Sequence, residues 1–123
     1  LNSECKIGDY PRVALNNTYI DLCIFIANYM NKPILYKVIY KIGNETTLPT
    51  NSTPSDSEPL ESWWGVLSNG GNTTFPVRVL VASPSIGRVA LIFELWIYDT
   101  DKRDWVYSGE WVHLYINVSV SLI

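Results

Sequence analysis

VHLYINVSVSL, residues 112–122, alternates apolar and polar side chains without a break. Every second residue from Val112 to Leu122 is apolar, while His113, Tyr115 and Asn117 occupy positions between them. A period of two residues over such a run is typical of a β-strand that buries one face and exposes the other. The stretch therefore predicts a long strand that covers a core.

Four further runs alternate in the same way, and no segment shows the 3.6-residue period of a helix. They span residues 18–28, 34–42, 75–81 and 89–97. Lys37 and Lys41 lie opposite the apolar positions of the second run, which predicts a solvated face there. Segments rich in Gly, Asn, Asp and Pro separate the runs, and the Pro-rich segment 49–59 is predicted to be a loop that cannot pair as a central strand.

The runs and turns together predict an all-β protein, a single immunoglobulin-like antiparallel β-sandwich of about seven strands, rather than a closed barrel. A chain of 123 residues is long enough for one domain with its own core and too short for two ordinary ones. We place the sandwich at residues 11–123. Residues 1–10 form an N-terminal extension and a candidate donor strand for a neighbouring copy.

Charge and hydropathy argue against nucleic acid as a partner and against a membrane span. Only 17% of the residues are charged, against about 25% in an average domain. The net charge is −3, and no run of Lys or Arg occurs, which argues against nucleic acid as a partner. No apolar stretch is long enough to span a bilayer, so no membrane span is expected in this segment.

The glycosylation pattern Asn-x-Ser/Thr occurs five times. With ten Asn, eleven Ser and eight Thr in the chain, chance predicts about 1.5 such matches. The excess predicts covalent N-glycans and an extracellular location at the cell surface, although a polar-rich composition alone would also raise the number. The acceptors are Asn16, Asn44, Asn51, Asn72 and Asn117.

Cys5 and Cys23 are the only cysteines. In an oxidising compartment a bond between them would close a loop of about 18 residues. We predict this disulfide, in agreement with the sequons. Two free thiols in a reducing compartment are the alternative, and the sequence alone cannot establish that the two residues are close enough to bridge.

Residues that could carry out chemistry are sparse. His113 is the only histidine and has no nucleophile motif near it, so it is interpreted as an exposed strand residue. The carboxylates of segment 99–104 have a spacing compatible with calcium, but Lys102 and Arg103 interrupt them. We therefore expect no enzyme, no cofactor and no metal.

Five Trp and eight Tyr make the chain rich in aromatic residues. In a sandwich such rings mostly fill the core or an interface. The alternative is a surface that stacks on sugars, for which Trp63, Trp64 and Trp105 are the candidates.

The order of short motifs resembles an archaeal surface-protein domain of unknown function that has an immunoglobulin-like, adhesion-related fold. The residues that carry the resemblance are Tyr10-Pro11, Ile26-Ala27-Asn28-Tyr29, Tyr36-Lys37-Val38, Phe75, Gly87 followed by residues 91–96, and residues 113–118. The chain is also similar to the glycosylated subunits of archaeal threads, which are linked by donor-strand exchange. The resemblance implies a sandwich fold and an extracellular location, and it carries over no catalytic residue.

We therefore expect a structural subunit of a surface filament in which copies assemble head to tail by strand addition. Either terminus could donate the strand, and the N-terminal extension is favoured because it precedes the first strong strand. Two alternatives stay open: an adhesive or carbohydrate-binding module, and an accessory domain of a larger cell-surface protein.

Overall fold

The computed structural model describes residues 1–83 and 86–120. The described residues form seven strands and no helix: β1 Val13–Leu15, β2 Thr18–Ala27, β3 Ile34–Gly43, β4 Pro59–Leu67, β5 Asn72–Val81, β6 Gly87–Asp99 and β7 Asp104–Ser119. The predicted final strand is therefore present and begins eight residues earlier than the alternation indicated. The last predicted position of that run, Leu122, lies outside the described residues.

The strands form two sheets, and the all-β sandwich predicted from the alternation is confirmed. One sheet has five strands in the order β1-β7-β6-β3-β4, and the other pairs β2 with β5. Neighbouring strands are antiparallel except β1 and β7, which run parallel with Val13 opposite Asn117. β4, β3, β6 and β7 thus lie side by side in one sheet, and β2 and β5 face them in the other.

The core lies between the sheets and consists of the predicted alternating residues. Tyr40 and Phe93 stack at its centre with ring centroids 5.2 Å apart, and the Tyr40 hydroxyl donates to the Leu80 carbonyl oxygen at 3.0 Å. Burial raises the pKa of Tyr40 well above its usual range, so the hydroxyl stays a donor. The buried apolar side chains come mainly from β2, β3, β5 and β6: Leu22, Ile24, Ile26, Ile34, Val38, Val77, Val79, Val81, Val89 and Leu91.

Two strands are short or irregular in sequence, and the alternation did not predict them. β1 has only three residues. β4 begins at Pro59, the last residue of the predicted loop, and forms the outer edge of its sheet. Proline is tolerated there because an edge strand needs partners on one side only.

The loop between β3 and β4 folds back over the outer face of the five-stranded sheet. Ser55 of this loop is buried, and the Tyr107 hydroxyl donates to the carbonyl oxygen of the loop residue Thr50 at 2.6 Å. Gly109 adopts a φ of 87°, and a Cβ at this position would lie 2.5 Å from the Asn51 carbonyl oxygen. Only glycine fits where the loop crosses β7.

Beneath this loop lies an ion pair that the sequence pattern did not indicate. The Lys41 ammonium lies 2.8 Å from Glu94 Oε1, and the two side chains are 5% and 0% exposed. Lys41 also donates to the Ser55 carbonyl oxygen, and the Ser55 amide donates to Glu94 Oε2. The predicted solvated position of Lys41 is wrong, because the loop covers that end of the sheet.

The N-terminal extension is bound to its own sandwich. The predicted Cys5–Cys23 disulfide is present, with the two Cα atoms 5.1 Å apart. Leu1 and Cys23 also exchange two hydrogen bonds, at 3.0 and 3.1 Å, between amino or amide nitrogen and carbonyl oxygen. Residues 1–10 thus begin on the edge of β2 and cover Cys23, which points away from the core.

We expect the disulfide to contribute about 3 kcal/mol to the free energy of unfolding. It closes a loop across a sequence separation of 18 residues and so lowers the conformational entropy of the unfolded chain. Urea unfolding of the Cys5→Ala/Cys23→Ala variant should show this loss. The control is wild-type protein unfolded in a reductant, which should lose about as much without any change of side chain. A loss below about 1 kcal/mol in both would show that the extension needs no covalent link.

Candidate functional site

The candidate site is an open groove between the edges of β2 and β7. The outer edge of β7 pairs with β1 only at Asn117–Ser119, and among the described residues no strand pairs with it from residue 104 to 116. On the other sheet, Leu1 pairs with Cys23, but residues 24–27 of β2 have no strand beyond them in the described chain. We call the space between these two edges the strand groove.

Two adjoining cavities of about 480 and 410 Å³ make up the strand groove. Both are lined by Ile24, Phe25, Phe93 and Val112. The larger extends toward the β2–β3 loop and the smaller toward the N-terminal extension. Their lining is mostly apolar, so the groove exposes part of the core.

The exposure of Val112 shows most clearly that no described strand lies beside this part of β7. It lies opposite Phe93 in the β6–β7 ladder and points between the sheets, where Phe93 is buried. Val112 is nevertheless 60% exposed. Inward-facing apolar side chains lose this exposure when a strand lies beside them, so the groove has the chemistry to accept one extended apolar segment.

The donor role predicted for residues 1–10 remains a prediction. The parallel register pairs Val13 with Asn117, so a straight continuation of β1 toward the N-terminus would follow the free edge of β7. The chain instead turns away and is held at β2 by the disulfide. The segment is also a poor match to the groove, because Ser3 and Asp9 interrupt the face on which Leu1, Cys5 and Ile7 lie.

The five sequon asparagines lie in different surroundings. Four are exposed: Asn44 directly after β3, Asn51 in the covering loop, Asn72 at the start of β5, and Asn117 on the outer face of β7. Asn16 lies in the β1–β2 turn, half-buried. Its amide nitrogen donates to the Ser83 carbonyl oxygen at 3.1 Å and its Oδ1 accepts from the Ser83 amide at 2.9 Å. A glycan at Asn16 would disturb this pair, so the other four are the better acceptors.

The candidate sugar-stacking tryptophans do not all lie on one face of the sheet. Trp63 packs against the core, its ring centroid 6.4 Å from that of Phe93. Trp64 is 70% exposed on the outer face of β4, and Trp105 lies beneath the Lys37 ammonium, 4.5 Å from the ring centroid. Only Trp64 and Trp105 of the three are therefore available to a ligand.

The remaining candidates, the histidine and the acidic turn of segment 99–104, make ordinary contacts with neighbouring residues. His113 is exposed on β7 between the rings of Trp111 and Tyr115, at centroid distances of 5.3 and 4.9 Å. Asp99 accepts hydrogen bonds from the amides of Asp101 and Lys102 in the β6–β7 turn. No cluster of three or more His, Cys, Asp or Glu side chains that could hold a metal occurs in residues 1–83 and 86–120.

Two carboxyl groups at the surface should titrate below the ordinary Asp pKa of about 3.9. The Lys102 and Asp101 amides lower the pKa of Asp99, and the hydrogen bond from Arg78 lowers the pKa of Asp21. Because both values are depressed in the folded state, their stabilisation is present above the unfolded pKa and is lost as the pH falls through the folded value. Side-chain carboxyl NMR titrations should give midpoints below 3.9 in the native protein. Midpoints at or above that value would contradict these contacts.

Comparison with protein-family models, with curated proteins and with solved structures finds no match to this chain. Residues 1–83 and 86–120 contain no helix with the length and apolar character that crossing a membrane requires. The strand groove, the disulfide and the exposed sequons are the features of the chain that bear on its function.

Proposed function

We propose that the chain is a non-enzymatic, N-glycosylated structural subunit of an extracellular surface filament of the archaeal thread type, in which copies join by strand addition. The strand groove carries this proposal. It presents two free strand edges and a row of core side chains at a position where a further strand would complete the sandwich. Main-chain hydrogen bonds would give affinity, and the apolar lining would select the side chains of the incoming strand.

Strand addition of this kind leads to a fibre rather than a closed dimer. The strand groove and the segment that fills it are different parts of the chain, so each contact joins unlike surfaces. Such heterologous contacts form an open filament unless the rotation closes them into a ring. Residues 1–10 and the polypeptide end that follows β7 are the candidate donors.

The extracellular location rests on two further observations. The disulfide is typical of oxidising compartments. Four of the five sequon asparagines are exposed, and a glycan can be attached there without unfolding a strand. Glycans would also supply the hydration that a surface with few charges lacks.

The glycosylated protein, purified without denaturant, tests this proposal by negative-stain electron microscopy and by sedimentation. Filaments with a repeat of a few nanometres, the length of one sandwich, are the expected result. Monomers at every concentration would contradict the proposed assembly.

A carbohydrate-binding module is the second candidate, and the exposure of Trp64 favours it. A glycan array would detect such binding. Affinity that is lost in Trp64→Ala and Trp105→Ala, but kept in the conservative variant Trp64→Phe, would favour the module over the filament.

A further inference from the structure

Aromatic and basic side chains lie in a row on the outer face of β7. Trp111, His113 and Tyr115 occupy alternate positions and contact one another in sequence. Asn117 is the next residue of the same face, and it is exposed. Residues two apart on a strand lie about 7 Å from each other, which is within reach of the first sugar of a glycan.

Three side chains border Asn117. Tyr115 precedes it on β7, Arg88 is its partner on β6, and Val13 is its partner on β1. The Arg88 guanidinium lies 3.8 Å from the centroid of the Tyr115 ring, and Val13 is 55% exposed although it is apolar. We call these three residues the Asn117 cradle.

The amide of Asn117 is available for modification. Its backbone nitrogen donates to the Arg12 carbonyl oxygen at 2.8 Å and so holds the residue in the sheet. Its side-chain amide makes no hydrogen bond with the described residues, in contrast to that of Asn16. The side chain thus stands above a fixed backbone, beside a ring, a guanidinium and an aliphatic group.

We propose that the first sugars of an N-glycan at Asn117 pack on the Asn117 cradle, so that this glycan stabilises the fold. The inference rests on the proposed glycosylation and not on filament assembly. A pyranose ring presents an apolar C–H face that matches the Tyr115 ring and Val13, while the Arg88 guanidinium donates hydrogen bonds to sugar oxygens. The occupant is thus the chain's own glycan.

Asn72 offers a matched control, because it is also exposed and also lies in a strand. Its partner in the ladder is Ala27, and the residues two positions away are Gly70 and Thr74. No aromatic or basic side chain occupies any of these three positions. Phe25 is an exposed ring diagonal to Asn72, but no Arg pairs with Asn72 as Arg88 pairs with Asn117. A glycan at Asn72 should therefore leave stability almost unchanged.

The test is thermal unfolding of glycosylated protein secreted from a eukaryotic host, with site occupancy measured by mass spectrometry. Asn117→Gln should lower Tm by about 3 °C or more, and Asn72→Gln by less than about 1 °C. In a Tyr115→Ala background, Asn117→Gln should change Tm by less than about 1 °C. Equal losses for Asn117→Gln and Asn72→Gln, or an undiminished loss in the Tyr115→Ala background, would overturn the proposal.

A second measurement does not depend on the folding of any variant. Nuclear Overhauser effects between the Tyr115 ring protons and the first sugar are expected in the wild-type glycoprotein, and their absence would count against the contact. If Asn72 is occupied while Asn117 is not, the Asn117 cradle proposal fails and the proposed glycosylation stands. If none of the five asparagines is occupied, the proposed glycosylation fails as well.

Discussion

Val112→Glu should prevent assembly while leaving the monomer folded. The side chain points into the strand groove, and an incoming strand would bury the new carboxylate against Phe93 without a partner. The affinity between copies should fall at least about tenfold, since each 1.4 kcal/mol of lost binding free energy is a factor of ten. Sedimentation of the variant at the concentration at which the wild type forms filaments measures the effect.

Val66→Glu is the matched control, because Val66 is 70% exposed on the outer face of β4 and lies away from the strand groove. Both variants replace an exposed valine on a strand that lies at or near a sheet edge, so both should lose less than about 0.5 kcal/mol of monomer stability. If Val66→Glu blocks assembly and Val112→Glu does not, the contact between copies lies at β4 and the assignment of the groove is wrong.

Lys41→Met should destabilise the monomer by about 3–5 kcal/mol, the largest effect expected from a single substitution. It leaves the Glu94 carboxylate fully buried beneath the covering loop, where the Ser55 amide and the Trp96 indole N–H are its remaining donors among residues 1–83 and 86–120. Glu94→Leu should cost a similar amount, because it leaves the ammonium buried. Urea unfolding followed by tryptophan fluorescence measures both losses.

The double variant Lys41→Met/Glu94→Leu separates a buried charge from lost packing. Replacing both partners by apolar side chains of similar volume removes the charges together, so most of the stability should return. If the double variant loses as much unfolding free energy as the two single variants together, the hydrogen bonds of the pair stabilise the loop, and removing both charges together does not restore stability.

The sequence allowed the core strands to be predicted because the residues that face the core alternate along each strand, although the outer face of β6 is partly buried as well. In β3, β6 and β7 the residues that alternate in sequence are the ones that pack together in the structure. β4 was not predicted because its solvent face carries Trp64 and Val66. Both residues are apolar although they are exposed, so apolar and polar residues do not alternate in this part of the sequence. Pro59 at its start also imitates a loop, and only its position at the sheet edge makes a strand tolerable.

The ion pair and the strand groove depend on contacts between distant segments. Lys41 alternates like a solvent-facing residue, and only the return of the loop over the sheet buries it. The one local signal was Glu94, a lone acid inside the apolar run from Val89 to Ile97, since an acid is seldom buried without a partner. For the groove, alternation placed Val112 on the inner face, but no local pattern shows whether another strand lies beside it.

A cryo-electron microscopy map of the filaments would show directly whether the strand groove is filled. We expect the density of one extended strand from a neighbouring copy, lying between residues 24–27 of β2 and the free edge of β7, with Val112 buried beneath it. A map in which the strand groove stays open and the copies touch through other faces would contradict it.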